Sequence, residues 1–251
     1  MIRQDESSPG VRNVLLTNVL SYTGPGALEA LVSSGCSVAC HDPAFVDEEA
    51  RQRFQHKWPT THPLRVAVAD GVADEAIDQL GELDAVVFND VYPLTVRPVE
   101  DVDLMDLRAT FEAVAVFPFR LAQCVIPRMK SRHRGSLVFV TSARERRPEA
   151  GYSVPTMVRA ATTAFAKTLA KELAQFQVQV NVVAPNYLAS ELYYPRARFV
   201  DDPSGRAMIA ALVPFGRLGT PDEVGELIAF FASGRSPFVT GQVVDFAGGW
   251  P

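Results

Sequence analysis

Short apolar segments alternate with longer amphipathic ones along nearly the whole chain, and this alternation restricts the possible folds more than any other feature. Helical spacing is clearest in residues 24–34, about 46–57, about 155–176, and in a helix that begins at Pro221. Buried strands are predicted for seven apolar segments: residues 11–17, 36–40, 64–68, 85–88, 137–140, 178–183 and 242–246. Strands that alternate with helices in this way predict an α/β protein with a doubly wound parallel sheet.

Size and charge restrict the organisation further. The chain has 251 residues, of which 47% are hydrophobic, so we expect a single domain over residues 11–251 with one sizeable core. Residues 1–10 are polar and acidic, which predicts a flexible tail rather than a signal or transit peptide. A net charge of −5 argues against a nucleic-acid partner, because no basic face is available to neutralise phosphates.

The cysteines and histidines show no metal-ligand spacing, and an odd number of cysteines (3) fits a reducing compartment. No uninterrupted apolar run reaches the roughly 18–20 residues that span a bilayer. We therefore expect a cytoplasmic protein with no metal site and no membrane partner.

In a sheet of this kind, ligands bind beyond the carboxyl ends of the strands. The functional residues should accordingly lie in the loops after Thr17, Phe88, Val140 and Val183.

Three segments resemble the short-chain dehydrogenase/reductase superfamily: residues 135–143, 217–227 and 238–250. Three shorter ones, residues 38–42, 88–90 and 184–188, resemble its halohydrin (haloalcohol) dehalogenase branch. The resemblance implies a Rossmann-like sheet, no nucleotide cofactor, and conversion of vicinal haloalcohols to epoxides with release of halide. It also implies the reverse ring opening by small anions.

The loop after the first strand separates these branches on physical grounds. Dehydrogenases of the superfamily need a glycine-rich loop there, because pyrophosphate must approach bare backbone at a helix N-terminus. In this chain Asn18 and Tyr22 take the first two glycine positions, and Gly24 alone remains. The dehalogenase resemblance implies that Tyr22 lines a halide pocket, whereas the alternative is a degenerate nucleotide loop with Tyr22 packed on the sheet. Asp42 lies where a dehydrogenase would hold a ribose, a weak signal without the glycines.

The catalytic pattern that the resemblance implies is Ser-x12-Tyr-x3-Arg, in which serine holds the substrate oxygen, tyrosine removes the proton, and arginine lowers the tyrosine pKa. Ser142 and Arg159 fit this spacing, but Pro155 occupies the tyrosine position and has no ionisable group. Tyr152 lies seven residues before Arg159, almost on the same face of a helix. Tyr152 is therefore either the replacement base or an ordinary loop tyrosine.

The segment Pro185, Asn186, Tyr187 and Leu188 follows a predicted strand directly. By resemblance its backbone N–H groups and the Asn186 side chain bind the halide, which needs fixed donors in a dry pocket. The alternative is a plain Pro-Asn turn.

Three further features complete the prediction. Asp90 is expected to face and orient Arg159, or to act merely as a helix cap. Residues 144–147 contain three arginines, read either as a solvated loop or as a site for an anionic substrate. Helices over residues 105–129 and 155–176, with the segment 241–250, resemble the superfamily's interfaces, so we expect a homotetramer with Trp250 near a neighbouring subunit.

Three functions remain open: a cofactor-independent lyase acting on haloalcohols and epoxides, a relative that has lost the base, and an NAD(P)-dependent oxidoreductase. Ser142, Tyr152, Arg159 and the anion pocket belong to the first.

Overall fold

The computed structural model describes residues 12–93 and 96–250, and the predicted tail, residues 1–10, lies outside them. Seven strands form one parallel sheet in the order β3-β2-β1-β4-β5-β6-β7. The strands are β1 (Asn13–Leu16), β2 (Ser37–Cys40), β3 (His62–Pro63), β4 (Ala85–Phe88), β5 (Gly135–Val140), β6 (Val178–Pro185) and β7 (Val243–Phe246). The chain order reverses between β1 and β4, so the loops that follow these two strands meet at the point where such sheets bind ligands.

Helices cover both faces of the sheet, which confirms the predicted doubly wound α/β fold. One apolar core packs α1, α2 and α8 against the sheet, and a second packs α3, α5 and α6 against the opposite face. The helices are α1 (Gly24–Ser33), α2 (Glu48–Lys57), α3 (Ala69–Leu80), α4 (Leu104–Phe111), α5 (Phe117–Arg132), α6 (Ser153–Leu173), α7 (Pro203–Leu212) and α8 (Pro221–Ala232).

Two glycines allow α1 and α8 to approach closely. A Cβ atom on Gly26 would lie 1.9 Å from the carbonyl oxygen of Pro221, and one on Gly225 would lie 2.2 Å from that of Gly26. Because no side chain fits either position, this contact requires glycine on both helices. The contact fixes α1, and therefore the loop that precedes it.

The prediction of a third strand at residues 64–68 is wrong in position, because the strand lies at His62–Pro63. Pairing with β2 stops at Pro63, and the backbone N–H groups of Arg65 and Val66 donate to the carboxylate of Glu75 instead. This strand lies at the sheet edge, where it has one neighbour, so a side chain on α3 takes the place of a ladder partner.

One helical stretch, Leu104–Arg132, is long and apolar enough to cross a membrane by length and composition alone. The prediction that no such segment exists therefore holds only for uninterrupted apolar runs. Part of its apolar content is explained by packing, since Leu121, Ala122, Val125 and Met129 are buried in the second core. Apolar side chains on its other face are exposed, among them Met105 and Phe119.

Candidate active site

A cavity of about 580 Å³ opens at the carboxyl ends of β5 and β6. Its walls come from the loops after these strands, from the start of α6, and from α4 and α7. Eight of the predicted site residues line it: Tyr22, Ser142, Tyr152, Arg159, Pro185, Asn186, Tyr187 and Leu188.

Ser142 follows β5 after Thr141 and caps a short 3₁₀ turn. Its Oγ accepts a hydrogen bond from the backbone N–H of Arg144 at 3.2 Å, which leaves the hydroxyl hydrogen available to a ligand. Arg159 lies on α6 with 8% of its surface exposed, and its Nη1 donates to the carbonyl oxygen of Val140 at 2.8 Å. β5 and α6 thus hold a hydroxyl group and a buried cation at the same cavity.

Tyr152 precedes the first residue of α6, and Pro155 lies in the first turn, as the spacing predicts. The ring of Tyr152 lies against Arg144, with the guanidinium carbon 3.9 Å from the ring centroid. Over the described ranges, no hydrogen bond joins the Tyr152 hydroxyl to Ser142 or Arg159. The structure therefore brings Tyr152 to the cavity but pairs it with a different arginine from the one expected.

Sequence reasoning places Arg144 only within residues 144–147, as part of a solvated loop or of a site for an anionic substrate. The solvated-loop interpretation is wrong for it, because 9% of its surface is exposed and its guanidinium enters the cavity wall. Nη1 donates to Glu149, and Nη2 donates at 3.2 Å to both the Asn186 Oδ1 and the Tyr194 hydroxyl. The available signal was its position two residues after the capping Ser142, in the loop that follows β5.

The amide of Asn186 has one satisfied end and one unsatisfied end. Oδ1 accepts from the Tyr187 backbone N–H at 3.0 Å as well as from Arg144, and because both are strict donors they fix the orientation of the amide. Nδ2 is buried and has no hydrogen-bond partner in the part of the chain that the structure describes. The residue is 6% exposed, so this orphaned donor is an energetically costly feature unless a ligand accepts from it.

Aromatic and apolar side chains pack against the two residues that follow Asn186. Tyr187 packs edge-on against Trp250 at 5.5 Å between ring centroids, so Trp250 is buried within its own chain. Tyr22 contacts Tyr193 at 5.0 Å and shares an apolar cluster with Leu188. Burial raises the pKa of Tyr22, so this phenol stays neutral. The surroundings suit a diffuse anion that needs donors in a dry site.

The loop after β1 is closed on itself. Tyr22 adopts a left-handed backbone conformation (φ 57°), and its ring lies between Tyr193 and the guanidinium of Arg159, 5.9 Å away. The Asp42 carboxylate accepts from the Leu20 and Ala44 backbone N–H groups, both at 3.0 Å. Internal acceptors at 2.9–3.1 Å take the backbone N–H groups of Val19, Leu20, Ser21 and Gly24.

Asp90 follows β4 after Asn89 and is buried. Its Oδ1 accepts from the Asn18 side-chain amide at 3.0 Å, while Oδ2 has no partner among the described residues. Burial raises the pKa of Asp90 to about 7, and hydrogen bonds and the positive charge of Arg159 oppose that rise. Asp90 therefore interacts with Arg159 through charge, and the hydrogen bond of Arg159 goes to Val140.

Comparison with known proteins agrees with this architecture. The family model described as enoyl-(acyl carrier protein) reductase matches residues 24–251. The 3-oxoacyl-(acyl carrier protein) reductase of Thermotoga maritima is 31% identical over 181 residues, which are 71% of this chain and 70% of that protein. The chain belongs to the short-chain dehydrogenase/reductase superfamily.

Two solved structures are more similar over a greater length. A protein described as "Dehalogenation enzyme" is 36% identical, covering 96% of this chain and 98% of its own, with a TM-score of 0.91. "Halohydrin dehalogenase (HheC) bound to ethyl (2S)-oxiran-2-ylacetate" is 34% identical, covering 95% and 96%, with a TM-score of 0.92.

The superfamily's fold implies a nicotinamide dinucleotide, and the residues present do not fit one. A pyrophosphate needs backbone N–H groups at the helix N-terminus, but in the loop after β1 those of Val19, Leu20, Ser21 and Gly24 are engaged internally. The buried Tyr22 ring belongs to the same loop and packs against Tyr193, and the Asp42 carboxylate accepts from the Leu20 backbone N–H. No group of three or more metal-ligating side chains occurs in residues 12–93 and 96–250.

Proposed function

We propose that this protein is a cofactor-independent lyase of the halohydrin dehalogenase type, which converts a vicinal haloalcohol to an epoxide and halide. The observation that carries the proposal is the buried, unpartnered Nδ2 of Asn186, a residue that lines an aromatic cavity together with Ser142 and Arg159. The similarity at 34–36% identity to two dehalogenating proteins supports it.

In the proposed reaction, Ser142 donates its hydroxyl hydrogen to the substrate oxygen and so positions it. The substrate O–H proton passes to a base as the oxygen attacks the neighbouring carbon and the carbon–halogen bond breaks. The halide leaves with the bonding electron pair and accepts a hydrogen bond from Asn186 Nδ2. In the reverse direction, a small anion held at Nδ2 attacks the epoxide carbon, and the alkoxide takes the proton back.

Tyr152 is the proposed base. Tyr152 lines the cavity, and the guanidinium carbon of Arg144 lies 3.9 Å from its ring centroid, so a positive charge lies beside the proposed base. Arg144 can supply this positive charge in place of the motif-spaced Arg159, because attraction between opposite charges depends on distance rather than on sequence spacing. Pro155 then has a structural role, as a residue suited to the first turn of α6.

Arg159 has a different task in this proposal. It carries no salt bridge within the described ranges, so its charge is directed at the cavity and at Asp90. In a site screened from water, a fixed cation of this kind stabilises negative charge that develops on the substrate oxygen and on the leaving halide.

The test is a mass balance on a simple vicinal bromohydrin with no nucleotide present. We expect equal amounts of bromide and epoxide from the wild type. Asn186→Leu keeps the branched shape of the side chain but removes the donor, and should slow bromide release by about 10²-fold or more. Ser142→Ala and Arg159→Gln should each lower turnover, whereas Arg53→Gln, at an exposed ion pair on α2, should not. Bromide release unaffected by Asn186→Leu would contradict the assignment of the anion site.

A further inference from the structure

We infer that Arg144 is a receptor for a carboxylate on the substrate, and that Glu149 occupies its place until the substrate binds. The inference rests on the proposed function and specifies its substrate class: haloalcohols and epoxides that carry a carboxylate group. Nothing in the reaction itself requires such a group, so the assignment comes from the cavity alone.

The charges lining the cavity are unbalanced. Arginines are four of the charged residues there, at positions 97, 144, 159 and 198, and carboxylates are two, at positions 106 and 149. Arg97 pairs with Asp106 at 3.9 Å near the rim, and Glu149 pairs with Arg144. An anionic substrate would neutralise part of this excess positive charge, whereas a neutral haloalcohol would not.

Glu149 has the features of a displaceable partner. It belongs to the segment 146–152, which contains neither helix nor strand, and its side chain is partly exposed to solvent. It reaches Arg144 Nη1 through Oε2 alone. A carboxylate held by one oxygen at the solvent boundary can swing outward at little cost, because it regains water when it leaves.

Arg144, by contrast, does not depend on Glu149 for its position. Asn186 Oδ1 and the Tyr194 hydroxyl hold Nη2, and the ring of Tyr152 lies against the guanidinium. The planar group therefore keeps its orientation when Glu149 moves away, and Nη1 becomes free to bind a ligand. A preorganised guanidinium is the side chain best suited to recognise a carboxylate.

The same contacts relate this receptor to the reacting atoms. The Arg144 backbone N–H donates to Ser142 Oγ, and the Arg144 side chain donates to the amide whose other end is the proposed halide donor. A substrate with halide, hydroxyl and carboxylate on a four-carbon chain, such as 4-bromo-3-hydroxybutanoate, would engage Asn186, Ser142 and Arg144 together. One carboxylate replaces another on Arg144, so the charge near Tyr152 does not change.

The experiment compares 4-bromo-3-hydroxybutanoate with its ethyl ester, which differs only in the missing charge. We expect the wild type to favour the acid by at least about tenfold in kcat/KM, the scale of one charge-assisted hydrogen bond. Arg144→Met should abolish that preference. Arg146→Met is the matched control, because Arg146 lies two residues from Arg144 but does not line the cavity. Its Nε pairs with Asp245 at 2.7 Å instead.

Glu149→Gln provides a second test that does not risk the fold. It removes the competing charge, so KM for the acid should fall several-fold while KM for the ester stays constant. A purely structural role for the Arg144–Glu149 pair would shift both substrates alike. An ester turned over as well as the acid by the wild type, or a Glu149→Gln change common to both substrates, would overturn the inference.

Failure of the proposed function is distinguishable. If neither substrate releases bromide, the lyase assignment fails, and the receptor is then tested by calorimetry with unreactive 3-hydroxybutanoate. Binding to the wild type, tighter in Glu149→Gln and lost in Arg144→Met, would support the receptor. Equal or absent binding in all three proteins would overturn it.

Discussion

The guanidinium carbon of Arg144 lies 3.9 Å from the centre of the Tyr152 ring. The cation spaced for a catalytic tyrosine, Arg159, instead lies 5.9 Å from the ring centroid of Tyr22. One cavity therefore contains two buried arginines, each beside a different tyrosine. In our account the two arginines have separate tasks: Arg144 acts on the base and on the substrate carboxylate, and Arg159 acts on the charge that develops in the reaction.

The closed loop after β1 makes a prediction about cofactors. Neither NADH nor NADPH should bind at micromolar concentration, because the Tyr22 ring and the internally bonded backbone leave no cradle for pyrophosphate. Isothermal titration calorimetry checks this, with an NADPH-dependent reductase of the same superfamily as the positive control. Saturable micromolar binding of either nucleotide would show that the loop opens, and would favour an oxidoreductase.

The buried carboxyl group of Asp90 predicts a pH dependence of stability. Burial raises its pKa to about 7, whereas an unfolded Asp titrates near pH ~4. Between these values the folded chain binds a proton that the unfolded chain has lost, so the free energy of unfolding should fall as pH rises through this window. The full effect is on the order of 4 kcal/mol.

Urea denaturation of the wild type and Asp90→Asn at pH 5 and pH 8 measures this effect. The variant should gain stability relative to the wild type on going from pH 5 to pH 8. His41, whose pKa burial lowers to about 4, is common to both proteins and cancels in the comparison. A constant difference between the two proteins at both pH values would contradict the account of Asp90.

The approach of α1 to α8 predicts an unusually severe glycine substitution. Gly26→Ala should destabilise the fold by about 3 kcal/mol or more, because its Cβ would meet the Pro221 carbonyl oxygen at 1.9 Å. Gly35→Ala is the control: it has a positive φ of 78° but nothing within 4 Å, so about 1 kcal/mol is expected. Similar midpoints of urea denaturation for the two variants would refute the role of this helix contact.

The exposed apolar side chains on α4 and α5 support the proposed homotetramer. Light scattering at micromolar concentration should give four times the mass of the chain. Phe119→Glu places a charge on this surface and should lower the measured mass. Val46→Glu, at an exposed position outside α4 and α5, should not. A monomeric wild type would contradict the proposal.

The sequence predicts the fold well because alternation of strand and helix periods is a property of local residues. It predicts the start of α6 near Pro155 for the same reason. It misplaces the third strand, because an edge strand has one neighbour and a side chain such as Glu75 can replace its partner.

The site is only partly predictable. The spacing that the family resemblance implies locates Ser142 and Arg159, which lie just after β5 and in α6. Residues 143–152 form no long element, so the burial of Arg144 and its contact with Tyr152 depend on tertiary packing that the sequence does not express. The orphaned Nδ2 of Asn186 likewise depends on three separate segments meeting.

The most direct test of the central claim is bromide release, without nucleotide, by the wild type, Tyr152→Phe and Pro155→Tyr. Loss of a general base typically costs about 10²–10⁴-fold, so we predict that the wild type is active and Tyr152→Phe falls by that factor. Tyr193→Phe, which removes another hydroxyl at the same cavity, should retain activity. An inert wild type with activity only in Pro155→Tyr would instead identify a relative that kept the anion pocket and lost its base. A Tyr152→Phe variant as active as the wild type would contradict the assignment of Tyr152.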